Sequence, residues 1–170
     1  MQKFAIMMTV ASVMALAACA KKPPETLPPV APPTSAPAPT PTPPTQGAQP
    51  GTQAHFKQQL SGRDVIYFDT DRYNIDAQDQ VALQAQAQYL SQYSNARATI
   101  EGHSDERGTR DYNLALGERR ANAAKNYLVS LGIPATRLNT VSYGKERPAA
   151  VGANEQAWSQ NRRAVTVLIN

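Results

Sequence analysis

One cysteine, two histidines and a single tryptophan stand in a chain of 170 residues, and aromatic residues make up only 6% of it. A lone cysteine excludes an internal disulfide framework. His55 and His103 are too few and too far apart to suggest a metal centre, so no metal and no cofactor are expected. Beyond the first nineteen residues no apolar run reaches 18, which excludes a transmembrane helix there. An excess of one charge is missing too. Residues 57–170 carry 14 basic and 12 acidic side chains, a balance that gives no electrostatic grip for non-specific binding of nucleic acid. Proline is scarce except in one stretch: 12 of the 14 lie between Pro23 and Pro50, where no charge follows Glu25. Such a segment cannot bury enough apolar surface to offset its ordering entropy, so the core must come from the last two-thirds of the chain.

The first residues read as a targeting signal. Lys3 supplies a positive start, Phe4 to Leu16 is an apolar run, and Leu16-Ala17-Ala18-Cys19 closes it with small residues. LAAC looks like a bacterial lipobox, which would make 1–18 a signal peptide and Cys19 the lipid-modified first residue of the mature chain. Several acyl chains, at about 0.8 kcal/mol per buried methylene, make such an anchor effectively permanent. Ala20, with no Asp at that position, resembles lipoproteins sorted to the outer membrane. Residues 19–56 then form the lipidated cysteine and a Pro-rich tether. Its Pro, Ala and Thr bias favours polyproline II at ~3.1 Å per residue, enough for a reach of roughly 100 Å.

The remaining domain, 57–170, alternates strands and helices. Val65 to Phe68 suits a strand. Asp76 and Asp79 mark the start of a helix running to about Tyr93, with Leu83, Ala87 and Leu90 on one face. Arg97 to His103 is the second strand. Asp111 to Leu131 makes a helix with Leu114, Gly117, Ala121, Ala124, Leu128 and Leu131 in its stripe, and Gly132 is placed for its C-cap. Leu138 to Tyr143 is a third strand and Gly144 to about Ser159 a long loop. Arg162 to Ile169 is a last strand in which Val165, Val167 and Ile169 alternate. The expected fold is α+β, a β-α-β-α-β-β sandwich with a mixed four-stranded sheet and helices packed on one face.

Chemistry concentrates between His103 and Arg120, where HSDERGTRDYNLALGERR interleaves charges of both signs. A carboxylate for an ammonium group, beside a guanidinium that grips a carboxylate with two parallel hydrogen bonds, suits a zwitterionic ligand. Gly108 lets the loop turn, and the amides opening the next helix favour a further carboxylate. On spacing alone, a solvated loop with surface ion pairs fits the same residues. Ser104, His103 and Asp105 supply the residue types of a catalytic triad, but neighbours at a strand end point different ways and cannot act in series, so an enzyme is not expected. His103 reads as a packed residue beside the pocket, and Trp158 as a core anchor.

Three blocks carry a resemblance: GHSDERGTRDYNLALGERRANAAKNYL, SYGKERP and QNRRAV. Together they are similar to the peptidoglycan-binding domain of the OmpA-like C-terminal family. With the lipobox and tether in front, the whole chain resembles the lipoprotein members of that family that serve the Tol-Pal system. The resemblance implies a binding protein for the peptidoglycan stem peptide, with Asp105 and Arg120 holding the ammonium and carboxylate of meso-diaminopimelate. It implies a further ligand-side acid at Asp71, and Tyr112, Asn113 and Leu116 lining the pocket. Ser104 stands where Thr or Ala is more usual. Arg162 and Arg163, in the NRR signature, are assigned mainly to structure and rim electrostatics. The implied partners are TolB and other Tol-Pal components, and the outer membrane through the lipid anchor. The implied role is envelope integrity and outer-membrane invagination at cell division. The alternative is a periplasmic lipoprotein whose globular domain is mainly a protein-interaction module. Replacing Asp105 or Arg120 by Ala is expected to weaken binding while leaving the domain folded.

The anchor has a direct test. Cys19→Ser should abolish labelling by radioactive palmitate and release the protein from the membrane fraction; unchanged membrane association would contradict the lipobox.

Overall fold

The computed structural model describes residues 48–169. The expected signal peptide 1–18, Cys19 and the Pro-rich stretch as far as residue 47 lie outside the described residues. Four α-helices and four strands follow among the described residues: α1 (Gln53–Leu60), β1 (Val65–Tyr67), α2 (Ala77–Gln92), β2 (Arg97–His103), α3 (Arg110–Ser130), β3 (Leu138–Gly144), α4 (Glu155–Asn161) and β4 (Arg163–Ile169). The sheet is mixed, in the order β1-β4-β2-β3. β2 and β3 are parallel and joined through α3, while β4 runs antiparallel to both β1 and β2. This is the α+β architecture anticipated, with two short helices added.

Local chemistry sets the helix ends. Asp76 accepts the Asp79 amide at 2.8 Å while the Asp79 carboxylate accepts the Asp76 amide, a reciprocal capping box. At the far end of α3, Gly132 takes φ +95°. Its amide donates to Val129 O, and that of Ile133 donates to Leu128 O, which closes the helix in a Schellman turn. Ile133 thereby enters the core.

Inward positions of the strands meet in register. Ile66 lies opposite Ala164, Ala98 opposite Leu168 and Ile100 opposite Thr166. All are buried, with Leu83 and Leu90 of α2 and Ala121, Ala124 and Leu128 of α3 in the same cluster. The phase of β4 is therefore the reverse of the one its valines suggest. Ala164, Thr166 and Leu168 face the core, whereas Val165 and Val167 are half-buried and Ile169 is exposed. Thr166 is accommodated because its hydroxyl donates to Gln86 Oε1 at 2.7 Å.

Two helices revise the expected boundaries. α1 crosses the limit placed between 56 and 57, because Phe56 and Leu60 are core residues and Phe56 packs edge-on against Tyr89 at 4.9 Å. Gln53 of the same helix accepts the Leu168 amide. The region 144–159, expected to be loop, ends in α4, capped by Asn154. There Asn161 accepts the amides of Ala149 and Ala150 and donates to Ala150 O.

Helix α3 approaches β2 and β3 closely at Gly102 and Gly117. A Cβ on Gly102 would overlap the Gly117 carbonyl, and one on Gly117 would lie 2.8 Å from the Gly102 oxygen. Backbone cannot yield there as a side-chain tip can. Gly102→Ala should therefore cost about 3 kcal/mol and lower the melting temperature by roughly 10 °C, read by circular dichroism; a change of a degree or two would mean that the helix can lift off the sheet.

Candidate functional site

The site sits where the loop after β1 and the loop after β2 meet the first turns of α3. Arg120 lies beneath both. It is fully buried, and its guanidinium donates to three backbone carbonyls: Nε to Arg72 O at 2.9 Å, Nη1 to His103 O at 2.8 Å and Nη2 to Asp69 O at 3.0 Å. The Phe68 ring stacks on it at 5.2 Å. Burial, then the charge of nearby Arg162, pushes its pKa down to about 10, against the pull of Asp105 and Asp71. It remains a cation at neutral pH.

These bonds change what can be expected of Arg120→Ala. Removing the side chain takes a donor from three carbonyls and leaves a large void, so that variant should lose stability. The expectation for this variant is therefore a domain that is less stable, beyond the weakened binding expected from the sequence.

Asp105 is almost buried and already engaged. Arg107 grips it in a fork, Nε to Oδ1 at 3.1 Å and Nη2 to Oδ2 at 2.6 Å, and the Arg107 amide also donates to Oδ1. Arg162 Nη1 reaches Oδ2 at 3.4 Å. Burial alone would raise the Asp105 carboxyl, but the side-chain and backbone hydrogen bonds from Arg107, with the bond from Arg162, hold it below the usual carboxylate value. Asp105 and Arg120 thus share one charged cluster with no hydrogen bond between them.

The remaining expected residues divide into rim and scaffold. Asp71 takes the left-handed conformation at φ 56°, rare outside glycine, and its Oδ1 accepts the Tyr112 hydroxyl at 3.0 Å. Both side chains are exposed at the mouth. Asn113 is buried and spends both amide protons on the loop, donating to Arg107 O and Thr109 O. Leu116 is buried as well. Neither lies on the surface of the mouth, and Asn113 holds the loop from within. Thr109 caps α3 by accepting the Tyr112 amide.

Three residues matter more than the sequence suggested. Arg162 is buried at the centre, donating to Phe68 O and to Glu155 Oε1 as well as Asp105. Arg107 forms the roof over Asp105 and reaches Thr70 Oγ1 at 3.3 Å. Trp158, expected in the core, is instead half-buried at the rim: Arg107 stacks over its ring at 4.3 Å and its Nε1 donates to Glu106 Oε1. The signal for the first two was the density of arginine around one Asp. Nothing in the sequence alone brings position 158 to position 107.

His103 lies just below, buried, with neither ring nitrogen in a hydrogen bond among the described residues. Burial, then the charges of Arg163 and Arg147, pushes its pKa down to about 4, with a weaker opposing pull from the Arg147 backbone. A neutral ring stacked near Tyr143 is what the pocket accepts.

Residues 67–162 match the OmpA family model. A peptidoglycan-associated lipoprotein of Rhizobium meliloti is 49% identical over 163 residues, which are 96% of this chain and 86% of that protein. One from Agrobacterium fabrum is 57% identical over 121 residues, covering 71% and 67%. The crystal structure of the peptidoglycan-associated lipoprotein from Burkholderia pseudomallei superimposes with a TM-score of 0.60 at 46% identity, over 62% of this chain and 89% of that one.

The His103 shift fixes a sign. Its folded pKa lies below the unfolded value of 6.5, so the unfolded chain binds the extra proton first and stability falls as pH drops from about 6.5 towards 4. Urea unfolding at pH 7 and pH 4.5 should differ by about 2–3 kcal/mol from this group alone. His103→Phe should flatten the dependence in that window.

Proposed function

The chain belongs to the OmpA family, and from that premise we propose that it is an outer-membrane lipoprotein that binds the meso-diaminopimelate of peptidoglycan non-covalently. It tethers the outer membrane to the cell wall from the periplasmic side and works with TolB and other Tol-Pal components in envelope integrity and in membrane invagination at division. The name shared by relatives about half identical over most of the chain supports the coarser part of this reading. One observation carries the finer part: a buried carboxylate, Asp105, beside a buried guanidinium, Arg120, with Asp71 and Tyr112 at the same mouth.

Each group has a role in this reading. Asp105 takes the side-chain ammonium of diaminopimelate. Arg120 has five N–H donors, of which three are committed to carbonyls, and its remaining protons and its charge attract the adjoining carboxylate. Asp71 and Tyr112 meet the more exposed part of the stem peptide.

Asp105→Asn keeps the shape and removes the charge. It should weaken binding of the tripeptide L-alanyl-γ-D-glutamyl-meso-diaminopimelate roughly tenfold to a hundredfold by titration calorimetry. The counterpart ending in L-lysine keeps the ammonium but lacks the second carboxylate, and it should bind wild type at least about tenfold less tightly. Equal affinity for the two peptides would overturn the diaminopimelate assignment.

A further inference from the structure

Asp105 already has a cation on it. The Arg107 fork spans both carboxylate oxygens, and Arg162 shares Oδ2. An incoming ammonium must therefore exchange with a guanidinium, and the candidate to leave is clear from burial. Arg162 is enclosed, with its other donors fixed on Phe68 O and Glu155. The Arg107 side chain is 40% exposed and is otherwise held by Thr70 Oγ1 and the face of Trp158. When Arg107 leaves, Arg162 still orients Asp105.

Exchange of one cation for another gains little by itself. A ligand carrying only an ammonium breaks the Arg107–Asp105 pair, makes one pair in its place, and leaves a guanidinium unpaired beside a new positive charge. A ligand whose ammonium and carboxylate share one carbon makes two pairs for the one broken, because the displaced fork can close on the carboxylate. Arg120 cannot perform this task alone, since it is wholly buried and bound to three carbonyls.

We propose that Arg107 is the specificity-determining residue of the site: it stands in for the ligand's ammonium on Asp105 and, once displaced, binds the ligand's carboxylate, so that zwitterionic ends are accepted and simple amines refused. This rests on the diaminopimelate reading above. It adds an energetic penalty against lysine-type peptides to the one that the missing carboxylate contact at Arg120 imposes.

The experiment compares wild type, Arg107→Gln and Arg107→Lys, each the full chain purified in detergent, against the two tripeptides by calorimetry. In wild type the diaminopimelate peptide should bind more tightly. In Arg107→Gln the lysine peptide should gain affinity and the diaminopimelate peptide should gain none, so that their ratio falls by about tenfold, while Arg107→Lys keeps an intermediate ratio. Trp158, the single tryptophan, gives a second readout. Its emission should change when the diaminopimelate peptide displaces Arg107 from above its ring, and should stay constant in Arg107→Gln. A wild type that prefers diaminopimelate with a ratio unaltered in Arg107→Gln would overturn this inference and leave the binding reading standing. A wild type that binds neither peptide would overturn both.

Discussion

A buried guanidinium is the constraint on which the functional end of this domain depends. Taking the Arg120 charge out of water is costly unless every side of it meets a polar group. The sequence meets that demand with backbone, because Asp69 O and Arg72 O from the loop after β1 and His103 O from the end of β2 converge on it. Without it each of those carbonyls would lose a donor, and Asp69 O would keep only the Arg72 amide. The loops after β1 and β2 are thus held at fixed positions by a single side chain of α3, and the mouth between them is formed before any ligand arrives. Phe68 closes the remaining face with its ring.

The same reasoning explains which parts of the fold could be read beforehand. The strands and the two long helices announce themselves through periodicity, the Asp76–Asp79 box and Gly132, because those signals act within a few residues. α1 and α4 do not. Gln53–Leu60 and Glu155–Asn161 are too short to be stable alone; the first depends on Phe56 and Leu60 in the core and the second on Asn161 bonding back to Ala149 and Ala150. The inverted face of β4 has a similar origin. Its inward positions must fit beneath close-packed helices, so Ala164 and a hydrogen-bonded Thr166 go inside and the valines outside.

The charged loop was legible as a place, less so as a mechanism. Interleaved signs in HSDERGTRDY pointed to ion pairing or to a zwitterionic ligand, and of the two the ion pairing is seen. Arg107 and Arg162 pair with Asp105, which makes the loop an internal ion-pair network. On the proposed reading that network is also what a ligand must enter by exchange. Sequence could not separate these because the deciding facts are degrees of burial: Arg162 enclosed, Arg107 partly open, Trp158 brought to the rim from 51 residues further along the chain.

Precision at this end of the molecule is set one turn earlier in α3. Gly117 lies directly against Gly102, and the Ser142 hydroxyl donates to Leu114 O at 2.7 Å, so the helix rests on β2 and β3 with backbone touching backbone. Arg120 follows Gly117 by three residues, close to one helical turn, and so emerges on the same side, over the C-terminal end of β2. A larger residue at either glycine would lift the helix, and a shift of an ångström would take Arg120 out of hydrogen-bonding range of three carbonyls at once. The close glycine contact and the buried arginine are therefore one device: the first fixes the distance between helix and sheet, and the second converts that distance into the position of both loops.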